Sequence, residues 1–237
     1  DLRWLPLKGV SLYAQGLIRR LVTNEINTGL HPEARPDENI LGYADGELAD
    51  WSENVENRFE IYATQPDICD HFKADTLFKI QAAARTEALI EGDVLVVLGQ
   101  HPRAKVPTVR LVNAQLVQSP LAPEGVPDGH TVKHGVERDA QGRVVAYWIR
   151  QDVFEFKRIR ARNPRTGRRV AWLEFGEDKR YDDERGMPLL AVVLQSLKEI
   201  DRYRDATVRK AVVNSIVALF ITKKDDKPGS LPLTGGA

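Results

Sequence analysis

The sequence predicts an α+β fold: N-terminal helices, a mostly antiparallel sheet of β-hairpins, then one long helix. Three observations lead there. Apolar residues recur at helical spacing as far as Glu91. From Asp93 the period shortens to that of strands, and turn residues follow at short intervals. Finally, 187–221 contains no Gly and, after Pro188, no further Pro.

The first helix is expected over 11–27, with Ser11 as N-cap and Leu12, Leu17, Leu21, Val22 and Ile26 on its apolar side. Asn27-Thr28-Gly29 stops it. After a polar connector over 31–45, the pattern of 47–62 is strongly amphipathic. Leu48, Trp51, Val55, Phe59 and Tyr62 fall on one face, with Glu47, Glu53, Glu56 and Glu60 away from it. Pro66 ends this helix. A third, capped by Asp75 or Thr76 and stopped by Gly92, turns Leu77, Ile80, Ala84, Ala88 and Leu89 inward.

Strands are expected over 93–98 and 109–117, with a Pro/Gly-rich loop at 120–129. Two hairpins follow: 132–138 with 143–150 around Asp139-Ala140-Gln141-Gly142, and 156–162 with 168–175 around Asn163-Pro164-Arg165-Thr166-Gly167. The sheet so formed has about six strands.

In the long helix, Pro188 suits the first helical position and Asp182, Asp183 and Glu184 suit the turn before it. Leu190, Val193, Leu197, Ile200, Tyr203, Val208, Ala211, Ser215 and Ala218 recur near helical spacing. Its length would be roughly 50 Å. Glu199 can meet Arg202, Asp201 Arg204, and Asp205 Arg209. The end, 211–221, is nearly all apolar, too short and too charge-flanked to span a membrane. Two readings stand: a helix that ends in a core, or one shared between subunits.

The expected regions are 1–93 helical, 94–181 antiparallel β, 182–222 the long helix and 223–237 a loose tail. The chain has no initiator Met and no secretory leader, and is read as part of a longer polypeptide. Its single cysteine, Cys69, excludes an internal disulfide and weakly suits a reducing compartment. The formal net charge of zero hides a segregation. Residues 1–93 carry 9 basic and 17 acidic side chains, whereas 94–181 carry 16 and 9. Such lobes suit complementary faces, within a subunit or between neighbours, and not a uniformly basic DNA-binding module.

Lys157, Arg158, Arg160, Arg162, Arg165, Arg168 and Arg169 crowd cations around one hairpin. Strand alternation would put Arg158, Arg160 and Arg162 on one face. They are candidates for contact to nucleic-acid phosphate, or to the acidic lobe of a neighbouring subunit; a solvated surface is the plain alternative. No metal site is expected: of His31, His71, His101, His130 and His134 only His130 and His134 stand four apart, in a loop-to-strand passage without a carboxylate at motif spacing, and Cys69-Asp70-His71 lacks partners. No phosphate-binding glycine motif and no nucleophile elbow is present. Asp182-Asp183-Glu184 reads as a helix-capping run, with metal-dependent hydrolysis a remote alternative. Leu231-Pro232-Leu233-Thr234-Gly235 spells a sortase signal without the apolar span such a signal needs, and is read as coincidence or a tag.

Four stretches resemble the portal proteins of tailed phages, of the phage lambda type. They are Tyr13-Ala14-Gln15-Gly16 with the helix to Gly29-Leu30, and Phe78-Lys79-Ile80-Gln81 through Ala88-Leu89-Ile90-Glu91-Gly92-Asp93. The third is Gly135-Val136-Glu137-Arg138-Asp139 through Gly142-Arg143-Val144-Val145-Ala146-Tyr147. The fourth is Arg185-Gly186-Met187-Pro188 followed by 194–206. Their order and spacing over 12–221 carry the resemblance. It implies a portal-like fold and a structural protein, not an enzyme, that needs no cofactor. It further implies a homo-oligomeric ring, usually a dodecamer, at the capsid vertex of the virion, through which viral DNA is packaged and ejected. The implied partners are the terminase motor, the capsid, head–tail connector proteins and double-stranded DNA, with assembly in the host cytoplasm and no membrane. This chain would correspond to the N-terminal and middle part, without the later channel and clip segments. The alternative is a nucleic-acid-binding module that uses the basic hairpin.

Overall fold

The computed structural model describes residues 12–44, 46–120, 125–152, 154–177, 179–191 and 193–224, the side chains of 12, 194 and 216–224 excepted. The Ser11 cap, the tail over 225–237 with its Leu231–Gly235 stretch, and the side chains of 216–221 lie outside that description. Two compact units form: Gly16–Ala191, and the described parts of Asp1–Gln15 with Val192–Ala237.

Helices come first, as expected: α1 (Leu12–Glu25), a short α2 (Glu38–Leu41), α3 (Ala49–Thr64), a one-turn α4 (Pro66–Cys69) and α5 (Leu77–Glu91). Thr76 caps α5, its hydroxyl accepting from the Lys79 amide. Ile80, Ala88 and Leu89 of α5 are buried. On α3, Val55, Phe59 and Tyr62 are half-buried, but Trp51 is 53% exposed, so the apolar stripe is narrower than its sequence suggests. The Tyr62 hydroxyl donates to the Pro107 carbonyl, and burial pushes its pKa up to about 12.

The β region is a correction to the single sheet of about six strands. Among the described residues seven strands form two sheets. One has order β2 (Pro107–Asn113), β1 (Asp93–Gln100), β7 (Ala171–Phe175). The other runs β3 (Thr131–Lys133), β4 (Val136–Arg138), β5 (Val144–Arg150), β6 (Phe156–Arg160). All strand pairs are antiparallel. The expected strand over 132–138 folds back on itself, because His134 (φ 50°) and Gly135 (φ 83°) form a two-residue turn. The strand expected over 109–117 ends at Asn113, whose side chain caps a 3₁₀ turn at Ala114–Leu116. The last hairpin changes sheets: β6 pairs with β5, whereas β7 pairs with β1.

This gives layers. One face of the β1 sheet presents Val96, Val109, Leu111 and Trp172 to α5. The other presents Leu95, Val112, Ala171 and Leu173, which join Val136, Tyr147, Ile149 and Ala161 of the second sheet in the main core.

The long helix, α6, spans Leu194–Lys224 and starts later than its Pro188 signal. The preceding residues are held by the α/β body instead. Leu190 is 7% exposed and the Leu189 amide donates to the Leu89 carbonyl. Gly186 lies so close to Gly92 that a Cβ on it would stand 2.0 Å from the Gly92 oxygen. Pro188 therefore sits in a non-helical strap, its carbonyl accepting from the Ala191 amide in the turn that follows. Nor do the expected pairs Glu199–Arg202, Asp201–Arg204 and Asp205–Arg209 close; on α6, Gln195 donates to Glu199 and the Thr207 hydroxyl to the Tyr203 carbonyl.

Candidate functional site

The basic hairpin is rooted in the main core. Ala161 is 3% exposed, its amide donates to the Val145 carbonyl, and it accepts from Val170. Beyond it, Asn163 organises the turn: its amide donates to Arg168, its carbonyl accepts from Gly167, and its side-chain oxygen accepts from the Arg165 and Thr166 amides. The amides of the turn are therefore tied down, and the arginines project from that frame.

Those arginines do not act as one set. Lys157, Arg160, Arg162, Arg165, Arg168 and Arg169 are exposed, and among the described residues none has a carboxylate within ion-pair distance. Arg162 donates to the Gly167 carbonyl at 3.1 Å. Arg158 leaves the group. It donates through Nε and Nη2 to Glu137 at 2.6 and 2.7 Å. Glu137 is fully buried and also accepts from Trp148 Nε1 at 2.9 Å, with His130 Nδ1 2.6 Å away. Burial alone would raise the Glu137 pKa, but these hydrogen bonds and the Arg158 charge hold it below the usual carboxylate range. A carboxylate so fully engaged anchors β4, β5 and β6; it has no free lone pair to act as a base.

A second buried carboxylate works in the same way. Asp93 receives Arg185 Nε and Nη2, both at 2.7 Å, and the Gly186 amide at 2.8 Å. The same guanidinium donates to the Val117, Ala114 and His134 carbonyls. One side chain thus ties the strap to both sheets. Nothing in the sequence spacing of Asp93 and Arg185 announces this pair. A buried acid at the start of an otherwise apolar strand was the available signal.

The acid run before the long helix does not gather into a site. Glu184 accepts from Arg138 Nε at 2.8 and 2.9 Å, while Asp182 and Asp183 are exposed. Among the described residues no three His, Cys, Asp or Glu side chains group as metal ligands. A cleft of about 480 Å³ lies between α3, α5 and the β1 sheet, lined by apolar side chains including Phe59, Leu77 and Trp172. Its polar members are already engaged: Gln81 brackets the Leu30 backbone, and Arg85 pairs with Glu25. Among the described residues the arrangement offers charge and shape for contact.

Comparison with known proteins bears on what is contacted. The family model described as "Phage portal protein, lambda family" matches residues 9–235. Among curated proteins, no match is found.

Proposed function

Because this chain belongs to the lambda family of phage portal proteins, we propose that it forms the ring at the capsid vertex through which viral DNA is packaged and ejected. The family fixes the broad role, a structural component of the phage portal. The finer reading is a closed ring of twelve copies, assembled in the host cytoplasm. It meets the terminase motor, the capsid and head–tail connector proteins, and double-stranded DNA passes through its channel without enzymatic work by the ring.

The observation that carries this is the extent of the family match, which runs through helices, both sheets and the long helix. Two features support it. The exposed hairpin cations have no carboxylate partner among the described residues, and α6 leaves Ile200, Tyr203, Val208, Val212 and Val213 at least 50% exposed. Both are surfaces that further copies would cover. The alternative of a nucleic-acid-binding module has less support, since Arg158 is spent on Glu137. Mass photometry and electron microscopy of the full chain test the ring. Closed particles with rotational symmetry are expected, and a monomer at high protein concentration across a range of salt overturns the reading.

A further inference from the structure

We propose that the basic hairpin of one copy docks against an acidic stripe on α3 of the next. This rests on the ring reading above and names the surfaces that would build it.

The stripe consists of Asp50, Glu53, Glu56 and Glu60. At about 100° per residue these four fall within an arc of roughly 120°, away from the inward Val55, Phe59 and Tyr62. Asp50, Glu53 and Glu60 are exposed and Glu56 is half-buried. Glu56 accepts from the Ala34 amide and Glu60 faces His31, but none of the four meets a Lys or Arg among the described residues. The stripe is roughly 15 Å long at the helical rise.

A duplex would answer the hairpin's charge and leave the stripe unexplained, since phosphate and carboxylate repel. A second copy answers both with one contact. The two surfaces differ, so the contact is head-to-tail, and a head-to-tail contact closes into a ring when the rotation allows. Both surfaces are solvent-exposed in a single copy, so salt should weaken the contact.

The test uses the full chain. One variant carries Arg160→Glu, Arg165→Glu and Arg168→Glu; a second carries Asp50→Lys, Glu53→Lys and Glu60→Lys; a third carries all six. Light scattering gives the concentration of half-assembly, and melting curves check folding. Should a reversal lower Tm, serine replacements at the same positions repeat the comparison. Each one-sided variant is expected to raise that concentration about tenfold or more, and the six-fold variant to return within about threefold of the parent. One-sided variants that assemble normally, or a six-fold variant no better than either, overturn the docking while leaving the ring in place. Loss of retention on a DNA duplex by the hairpin variant, with assembly unchanged, assigns the hairpin to nucleic acid and also overturns it. A parent chain that never assembles sinks the ring reading itself.

Discussion

Buried and exposed charges follow opposite rules in this protein. Inside the body of Gly16–Ala191, Asp93 and Glu137 are each held by an arginine fork and further hydrogen bonds. On the hairpin tip, cations stand in solvent with no carboxylate paired to them among the described residues, and along α6 large apolar side chains are exposed. The buried charges are satisfied within one copy, whereas the hairpin cations and the apolar face of α6 are left open to solvent. Substitution should therefore cost folding in the first region and association in the second.

The largest effect is expected at Arg185. Arg185→Ala leaves the Asp93 carboxylate buried without a cation and frees three carbonyls, so it should lower body stability by about 3–5 kcal/mol. Chemical denaturation followed by tryptophan fluorescence measures this. Arg185→Lys should recover only part, because an ammonium cannot fork to both carboxylate oxygens while reaching three carbonyls. A loss below about 1 kcal/mol for the alanine variant would mean that the strap is held by packing alone.

Next comes the Glu137 cluster. Arg158→Ala removes the fork but leaves Trp148 and His130, so about 2–3 kcal/mol is expected. The pH dependence has a definite sign. The folded pKa values of Glu137 and Asp70 are depressed; at Asp70, burial acts upward and is outweighed by the Ala74, Phe72 and Asp75 amides. Their contribution is complete above the ordinary carboxylate range and is lost as pH falls through the lowered folded values. Acid titration of stability should show that loss. In Arg158→Ala the part due to Glu137 should shrink.

Gly186→Ala tests the close approach of strap and α5 terminus. The new methyl group would meet the Gly92 carbonyl at a distance no carbon tolerates. Backbone must move, and about 1–3 kcal/mol is expected from overpacking, read as a lower Tm.

The helices were readable because their signals are local: Thr76, Gly92 and the apolar positions of α5 lie within one stretch and agree with one another. Strand positions were readable too, but not how the strands divide between sheets. Whether β7 pairs with β6 or crosses to β1 depends on residues 93–97, far away in sequence. The break at His134 was hidden because histidine is an unusual partner for glycine in such a turn. Pro188 and the three acids spelled a helix start, and local propensity lost to tertiary contacts: Leu190 gains more from burial and Glu184 from Arg138. The basic hairpin was legible as composition, but the loss of Arg158 to a buried partner was not, since Glu137 lies in another strand.

The smallest effect on folding is expected on α6, and there the contrast between the two regions is sharpest. Tyr203, Val208 and Val212 are 76%, 56% and 54% exposed. Replacing Val208 and Val212 with Asn removes little apolar surface that folding has withdrawn from water. The unfolding of the body should then stay within about 0.5 kcal/mol of the parent. Asn is a poorer helix former than the straight-chain residues but close to Val, so helicity by circular dichroism should change little. If association covers this face, the same pair of substitutions should weaken it tenfold or more, because each buried valine is worth about 1.5 kcal/mol or more. Sedimentation at matched concentrations separates the cases. A stability loss as large as that of Arg158→Ala would show that these valines already serve the fold of a single copy, and would erase the division between a finished body and an unfinished helix.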